Sequence, residues 1–162
     1  MKGVDNDIIV INTGPLILLD KLNALDVAER LPVTFVSPPA VREELIAGTS
    51  SGHIKVDPPW LEIRKLRSPI SPLADFSLDR GEAEVIQLAL DYSIPDVCLD
   101  DLRGRKLAKA LGLNVTGLLG LLGRARNLGI VHRLTPLTDR LVEVGGRYST
   151  RVIRDFLAEF GE

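Results

Sequence analysis

Cysteine is almost absent: Cys98 is the single one in 162 residues, so neither an internal disulfide nor a cysteine zinc cluster can form, and a reducing cytoplasm is the natural compartment. The acidic opening stretch Met1 to Asp7 has no long apolar run, and no later segment approaches the roughly 18 apolar residues of a spanning helix. The chain therefore reads as neither exported nor membrane-inserted. Aromatic residues make up only 4%, which leaves a core to be built from Leu, Val, Ile and Ala. There is no glycine-rich phosphate loop of either common type and no Ser/His/Asp arrangement in a recognisable elbow. Repeats and low-complexity tracts are also missing.

What remains is an ordinary globular composition, 45% apolar and 26% charged, with length for one domain over residues 1–162 that needs no covalent staple. The net charge of −2 hides an uneven distribution. Residues 1–101 hold 17 Asp/Glu against 9 Lys/Arg, whereas Leu102 to Thr138 holds seven basic residues and no acid. An acidic pocket beside a basic surface suits a polyphosphate substrate; two ordinary solvated helix faces would give the same counts.

The centre of the pattern is Pro95-Asp96-Val97-Cys98-Leu99-Asp100-Asp101. A short apolar run reads as a buried strand that ends in two carboxylates and runs into a helix carrying Arg103, Arg105 and Lys106. Adjacent carboxylates at a strand end repel unless a cation or a helix N-terminus sits there. Ile8 to Ile11 is a β-branched run expected of a central parallel strand, ending at Asn12 before the Thr13-Gly14-Pro15 turn. Val33 to Val36 is a second strand with Ser37 as a cap, Leu61 to Leu66 a peripheral third, and Leu113 to Thr116 a fifth.

Helical periodicity sorts the remaining acids. In the helix Pro38 to Ala47, Glu43 faces away from the Val41/Leu45 apolar centre, and Glu44 lies on its border. In the helix Asp79 to Asp91, Glu82 falls among Val85, Ile86, Ala89 and Leu90, while Glu84 falls on the surface side. A buried Glu82 needs a cation, an amide cluster or an open core edge; reaching back to cap its own helix is the plainer reading. The next helix turns Leu107, Ala108, Ala110 and Leu111 inward and Arg105, Lys106 and Lys109 outward. After Gly117, a helix buries Leu118, Leu121, Leu122 and Ala125 and groups Gly120, Gly123 and Asn127 on a small-residue side fit for close approach by another helix, such as a second subunit's. Thr135 and Ser149 are expected to cap two final helices. His53, alone in a loop, reads as solvated.

Strands alternate with helices, so the expected fold class is α/β, a mostly parallel sheet of about five strands flanked by helices. Ligands in such sheets bind beyond the carboxyl ends of the strands. Asn12, Asp100, Asp101 and Thr116 belong to that edge, and Glu44 and Glu82 are able to converge on it.

By these residues the chain resembles the PIN domain family, the nuclease fold used by toxins of VapC-type toxin–antitoxin pairs. Ile9-Val10-Ile11-Asn12-Thr13-Gly14-Pro15-Leu16-Ile17 is similar to the first motif and Val41-Arg42-Glu43-Glu44-Leu45 to the second. Gly81-Glu82-Ala83-Glu84-Val85-Ile86-Gln87-Leu88-Ala89 resembles the third, and Leu99-Asp100-Asp101 with Arg103-Gly104-Arg105 the fourth. Leu113-Asn114-Val115-Thr116-Gly117-Leu118-Leu119-Gly120 resembles an uncharacterised PIN-like subgroup. The likeness is strongest over residues 8–130, with the C-terminal helices at 135–160 beyond it.

The resemblance implies a Mg²⁺- or Mn²⁺-dependent endoribonuclease, with Glu44, Glu82 and Asp101 as metal-holding catalytic acids and Asp100 as neighbour or substitute. Thr13, Arg103, Arg105, Lys106 and Thr116 are expected to contact RNA, and the expected partners are an antitoxin protein and a second copy of the chain in a homodimer, with no membrane. At the end of strand one the family carries an acid, and here Asn12 stands in its place. Asn keeps a ligating carbonyl oxygen but removes a full charge, so metal affinity is expected to fall. That leaves a second reading, a catalytically weakened PIN-like module binding RNA or a protein. A third is a phosphoryl-transfer domain with Asp100 or Asp101 as acceptor, which lacks a partner lysine in a late strand.

Overall fold

The apolar run at the N-terminus takes the middle of a sheet because it has no polar face to turn to water. In the computed structural model, residues 7–48, 54–70, 72 and 78–162 are described. Strand β1 (Asp7–Ile11) pairs with β2 (Val33–Ser37) on one side and with β4 (Asp96–Cys98) on the other. Adding β3 (Glu62–Ile63) and β5 (Asn114–Thr116) gives the order β3-β2-β1-β4-β5, and every neighbouring pair is parallel.

Parallel neighbours need crossovers, which the helices supply. These are α1 (Thr13–Lys21), α2 (Leu25–Arg30), α3 (Pro39–Ala47), α4 (Arg80–Asp91), α5 (Leu102–Ala110) and α6 (Leu118–Asn127), followed by α7 (Thr135–Glu143) and α8 (Thr150–Glu159). From β1 the chain builds outward through β2 and β3, then returns to lay β4 and β5 on the other flank. The switch of direction opens a crevice beyond the carboxyl ends of β1 and β4. There the amide of Asn12 donates to the Cys98 carbonyl at 3.1 Å, and Leu99 N donates to Thr116 O at 2.9 Å. Behind this edge Val10, Ile11, Val36, Val97, Cys98 and Leu99 are wholly buried, each large apolar side chain contributing about 1.5–3 kcal/mol. No helix among the described residues is long and apolar enough to cross a membrane.

Several local expectations need correction. Ser37 does not cap α3: its hydroxyl donates to the Ile11 carbonyl at 2.6 Å and ties β2 to β1. Ala110 and Leu111 are exposed rather than inward, because α5 ends over the rim of the sheet and only Gly104 and Ala108 of that helix are fully buried. The small-residue side of α6 is occupied at Gly123 within the chain, since a β-carbon there would stand 2.9 Å from Phe160 and 3.2 Å from Phe156 of α8. Thr135 is the first residue of α7 instead of its cap; the Glu162 carboxylate accepts from Leu134 N and Thr135 N. Ser149 does cap α8, accepting from Val152 N. The third strand is shorter than the sequence suggests, and His53 lies outside the described residues.

Candidate active site

Asn12 ends β1 and enters α1 in extended conformation, its side chain making no cap bond. Its Oδ1 is buried without a hydrogen-bond partner, and so is Thr13 Oγ1. Buried acceptors are normally paired with protein, water or an ion, and leaving one bare costs about 1–3 kcal/mol. A β-carbon on Gly81 would lie 2.5 Å from Glu44 Oε1 and 3.5 Å from Asn12 Oδ1, so both oxygens crowd the same hollow above α4.

The first turn of α4 fastens this arrangement. Glu84, expected on the surface, is buried: its Oε2 accepts from Ala40 N at 3.0 Å and its Oε1 lies 3.4 Å from Arg80 Nε. The bond satisfies an amide in the first turn of α3, a helix with no side-chain cap of its own, and so sets the helix that carries Glu44. The periodicity reading failed because α4 is packed on two sides, by the sheet and by α3, while it assumed one buried face. Glu43 is exposed and, among the described residues, reaches only Arg80, at 3.4 Å.

Glu82 meets both of its expected descriptions. It forms a capping box, with Glu82 N donating to Asp79 Oδ1 at 2.8 Å and Asp79 N to Glu82 Oε2 at 3.4 Å, and it is nevertheless buried. Burial, then the charges of Asp79 and Asp101, push its carboxyl up to about 7 against the pull of the Asp79 amide, and Glu44 adds to the rise. Glu44 is raised as well, first by burial. The nearby Thr13 hydroxyl opposes that rise, although it falls short of hydrogen-bond geometry.

Asp101 and Asp100 diverge at the end of β4. Asp101 caps α5, its Oδ2 accepting from Arg103 N at 2.9 Å and Gly104 N at 3.1 Å. A β-carbon on Gly104 would stand 4.0 Å from that oxygen and 3.9 Å from Glu82 Cδ, so Asp101 is the acid that faces Glu82. Asp100 turns toward β5. Its Oδ1 accepts from Tyr148 Oη at 2.7 Å and from Leu118 N at 3.3 Å, and burial raises its carboxyl against those bonds and nearby Arg105.

The expected RNA contacts also separate. Arg103 and Lys106 are exposed on α5. Arg105 is half-buried, contrary to expectation, because its Nη1 donates to the Leu99 carbonyl at 2.8 Å. Thr13 is buried, and Thr116 is half-buried with its hydroxyl donating to Gly117 O at 3.4 Å. The sequence reading missed Glu84, Arg147 and Tyr148. The spacing of Arg80 and Glu84 was a signal for the first, and nothing local marks the other two, which come from the far end of the chain.

The donor set is one that suits a hard divalent cation: an orphan amide oxygen and carboxylates that hinder one another's ionisation. Among the described residues, however, no three His, Cys, Asp or Glu side chains already form a metal-holding group. The acids share an edge without closing on one point.

A family model described as a PIN domain matches residues 8–162. No curated protein and no solved structure matches the chain. PIN domains are generally nucleases, and the five-stranded parallel sheet flanked by helices is consistent with their fold. The match takes in all five strands except Asp7 and every helix among the described residues, and the chain accordingly belongs to the PIN domain family.

Proposed function

We propose that the protein is a Mg²⁺- or Mn²⁺-dependent endoribonuclease whose active site is the crevice beyond β1 and β4. The observation that carries this reading is the orphan Asn12 Oδ1 set beside Glu44, on the same edge where Glu82 and Asp101 face each other. Asn12, Glu44, Glu82 and Asp101 would hold the ion, which when bound supplies positive charge to activate water and steady the reacting phosphate. The chain's own part is positional. Asp101 is fixed by two amides on Oδ2, and its Oδ1 takes no hydrogen bond from the described residues. Glu82, whose carboxyl is pushed up to about 7 in the metal-free site, would give up its proton as the cation binds. Exposed Arg103 and Lys106 on the neighbouring helix serve the RNA backbone. Resemblance to the VapC toxins supports a toxin role with an antitoxin partner.

Asn12 and the open spacing of the acids support a second reading, an RNA- or protein-binding module without cleavage. Incubation of single-stranded RNA with the protein over a Mn²⁺ series separates the two. Cleavage that needs metal and disappears in Glu82→Gln and Asp101→Asn supports the enzyme. Intact RNA at every metal concentration, with binding retained, supports the module.

A further inference from the structure

Asp100 stands outside the acid group, and its bond to Tyr148 builds something next to it. The hydrogen bond, 2.7 Å long, pins the connection between α7 and α8 against the end of β4. Two glycines let the connection fold so tightly. Gly145 has φ +88, and a β-carbon on Gly146 would meet the Leu141 carbonyl at 2.8 Å. The pinned turn and α1 are two walls of a cleft of about 490 Å³ that has Asp101 in its lining and so adjoins the acid site.

The lining combines three chemistries. Ile17, Leu18 and the largely exposed Leu102 are aliphatic, and the Tyr148 side chain brings an aromatic ring whose hydroxyl is already engaged by Asp100. Arg147 is exposed and makes no ion pair among the described residues. The acid in the cleft is Asp101 together with Asp100, both of which accept bonds from helix-terminal amides.

Resting on the ribonuclease reading above, we propose that this cleft is a subsite for one unstacked nucleotide of single-stranded RNA. Its base lies against Ile17, Leu18, Leu102 and the Tyr148 ring, and its phosphate pairs with Arg147. The volume falls in the range of small-ligand sites. A flat apolar base suits the aliphatic and aromatic walls, and only an unpaired nucleotide can leave its stack to reach them. The exposed Arg147, with no ion pair among the described residues, offers a phosphate a partner that a protein's apolar side chain would leave unused. The shared Asp101 places the bound nucleotide next to the scissile bond.

The test uses Arg147→Ala and Leu102→Ser, both at exposed positions, with fluorescence anisotropy of a labelled oligouridylate in EDTA and again in Ca²⁺. Arg147→Ala should weaken binding by about tenfold and lower the salt slope by about one. Leu102→Ser should weaken binding by about three- to tenfold. In a set of oligonucleotides each carrying one abasic position, wild type should lose affinity at one position, and Leu102→Ser should lose that dependence. Wild-type binding that neither substitution alters would overturn the subsite while leaving the ribonuclease reading intact. Wild type that binds RNA in neither condition overturns both.

Discussion

Glu82, in the first turn of α4, and Asp101, the cap of α5, share the hollow over the α-carbon of Gly104, where a β-carbon would stand about equally far from each, 3.9 Å from Glu82 Cδ and 4.0 Å from Asp101 Oδ2. Burial first, then the charges of Asp79 and Asp101, disfavour the ionised form of Glu82. Its carboxyl moves from 4.5 to about 7 on folding. Between those values the folded state holds a proton that the unfolded state has lost, so stability falls as pH rises through the window. Metal-free protein should lose up to roughly 3 kcal/mol between pH 4.5 and 7.5 from this group. Thermal melts in EDTA should show much of that slope removed in Glu82→Gln. Parallel melting curves for the two proteins would contradict the placement of Glu82.

Gly81 separates fold from site. A β-carbon there would lie 2.5 Å from Glu44 Oε1, the far end of a flexible side chain, so Gly81→Ala displaces the carboxylate without moving backbone. The variant should melt within about 1 kcal/mol of wild type, since alanine also favours the helix. Calorimetric Mn²⁺ affinity should fall. Unchanged affinity would remove Glu44 from the proposed ligand set.

Asn12→Asp restores a charge at the end of β1. It should strengthen Mn²⁺ binding and raise or create RNase activity. Without metal it should destabilise the protein slightly, by about 1 kcal/mol, because another acid joins Glu44 and Glu82. Added Mn²⁺ should recover the loss by mass action. A variant that gains neither affinity nor activity would falsify Asn12 as the first ligand position.

The basic residues of α5 divide by burial. Arg103→Ala with Lys106→Ala should weaken RNA binding and flatten its salt dependence while leaving the melting temperature within experimental error. Arg105→Ala should instead destabilise the protein by about 1–3 kcal/mol, because it removes the donor to the Leu99 carbonyl and the cation beside Asp100. Equal stability losses in both proteins would show that exposure does not distinguish these side chains.

The sequence made the sheet legible because parallel strands are unambiguous apolar runs. Ile8 to Ile11 and Val33 to Val36 have no competing helical reading, and their polar terminal residues mark one edge. Glu82 was legible too, since a charge in the middle of an apolar stripe has few explanations. Glu84 was not, because a helix covered by both a sheet and another helix has two buried faces, and a single-face wheel sees one. Nor could Asp100 be told from Asp101: adjacent residues at a strand end point apart, and which way each points depends on contacts with Tyr148 and Gly104. Tyr148 lies 48 positions from its partner Asp100, a separation at which no local pattern operates.

Cys98 sits wholly buried in β4, in register with Ile11 on one side and Thr116 on the other, and burial raises its thiol well above the ordinary range. Because it is the chain's one thiol, capture by an added disulfide reagent can occur only when the packing around β4 opens. The sheet therefore carries a built-in clock that runs in the unaltered protein. Each labelling event reports an opening of the core beside the strand whose end forms the crevice, and a cation or RNA that binds only the closed protein slows that clock as its occupancy rises.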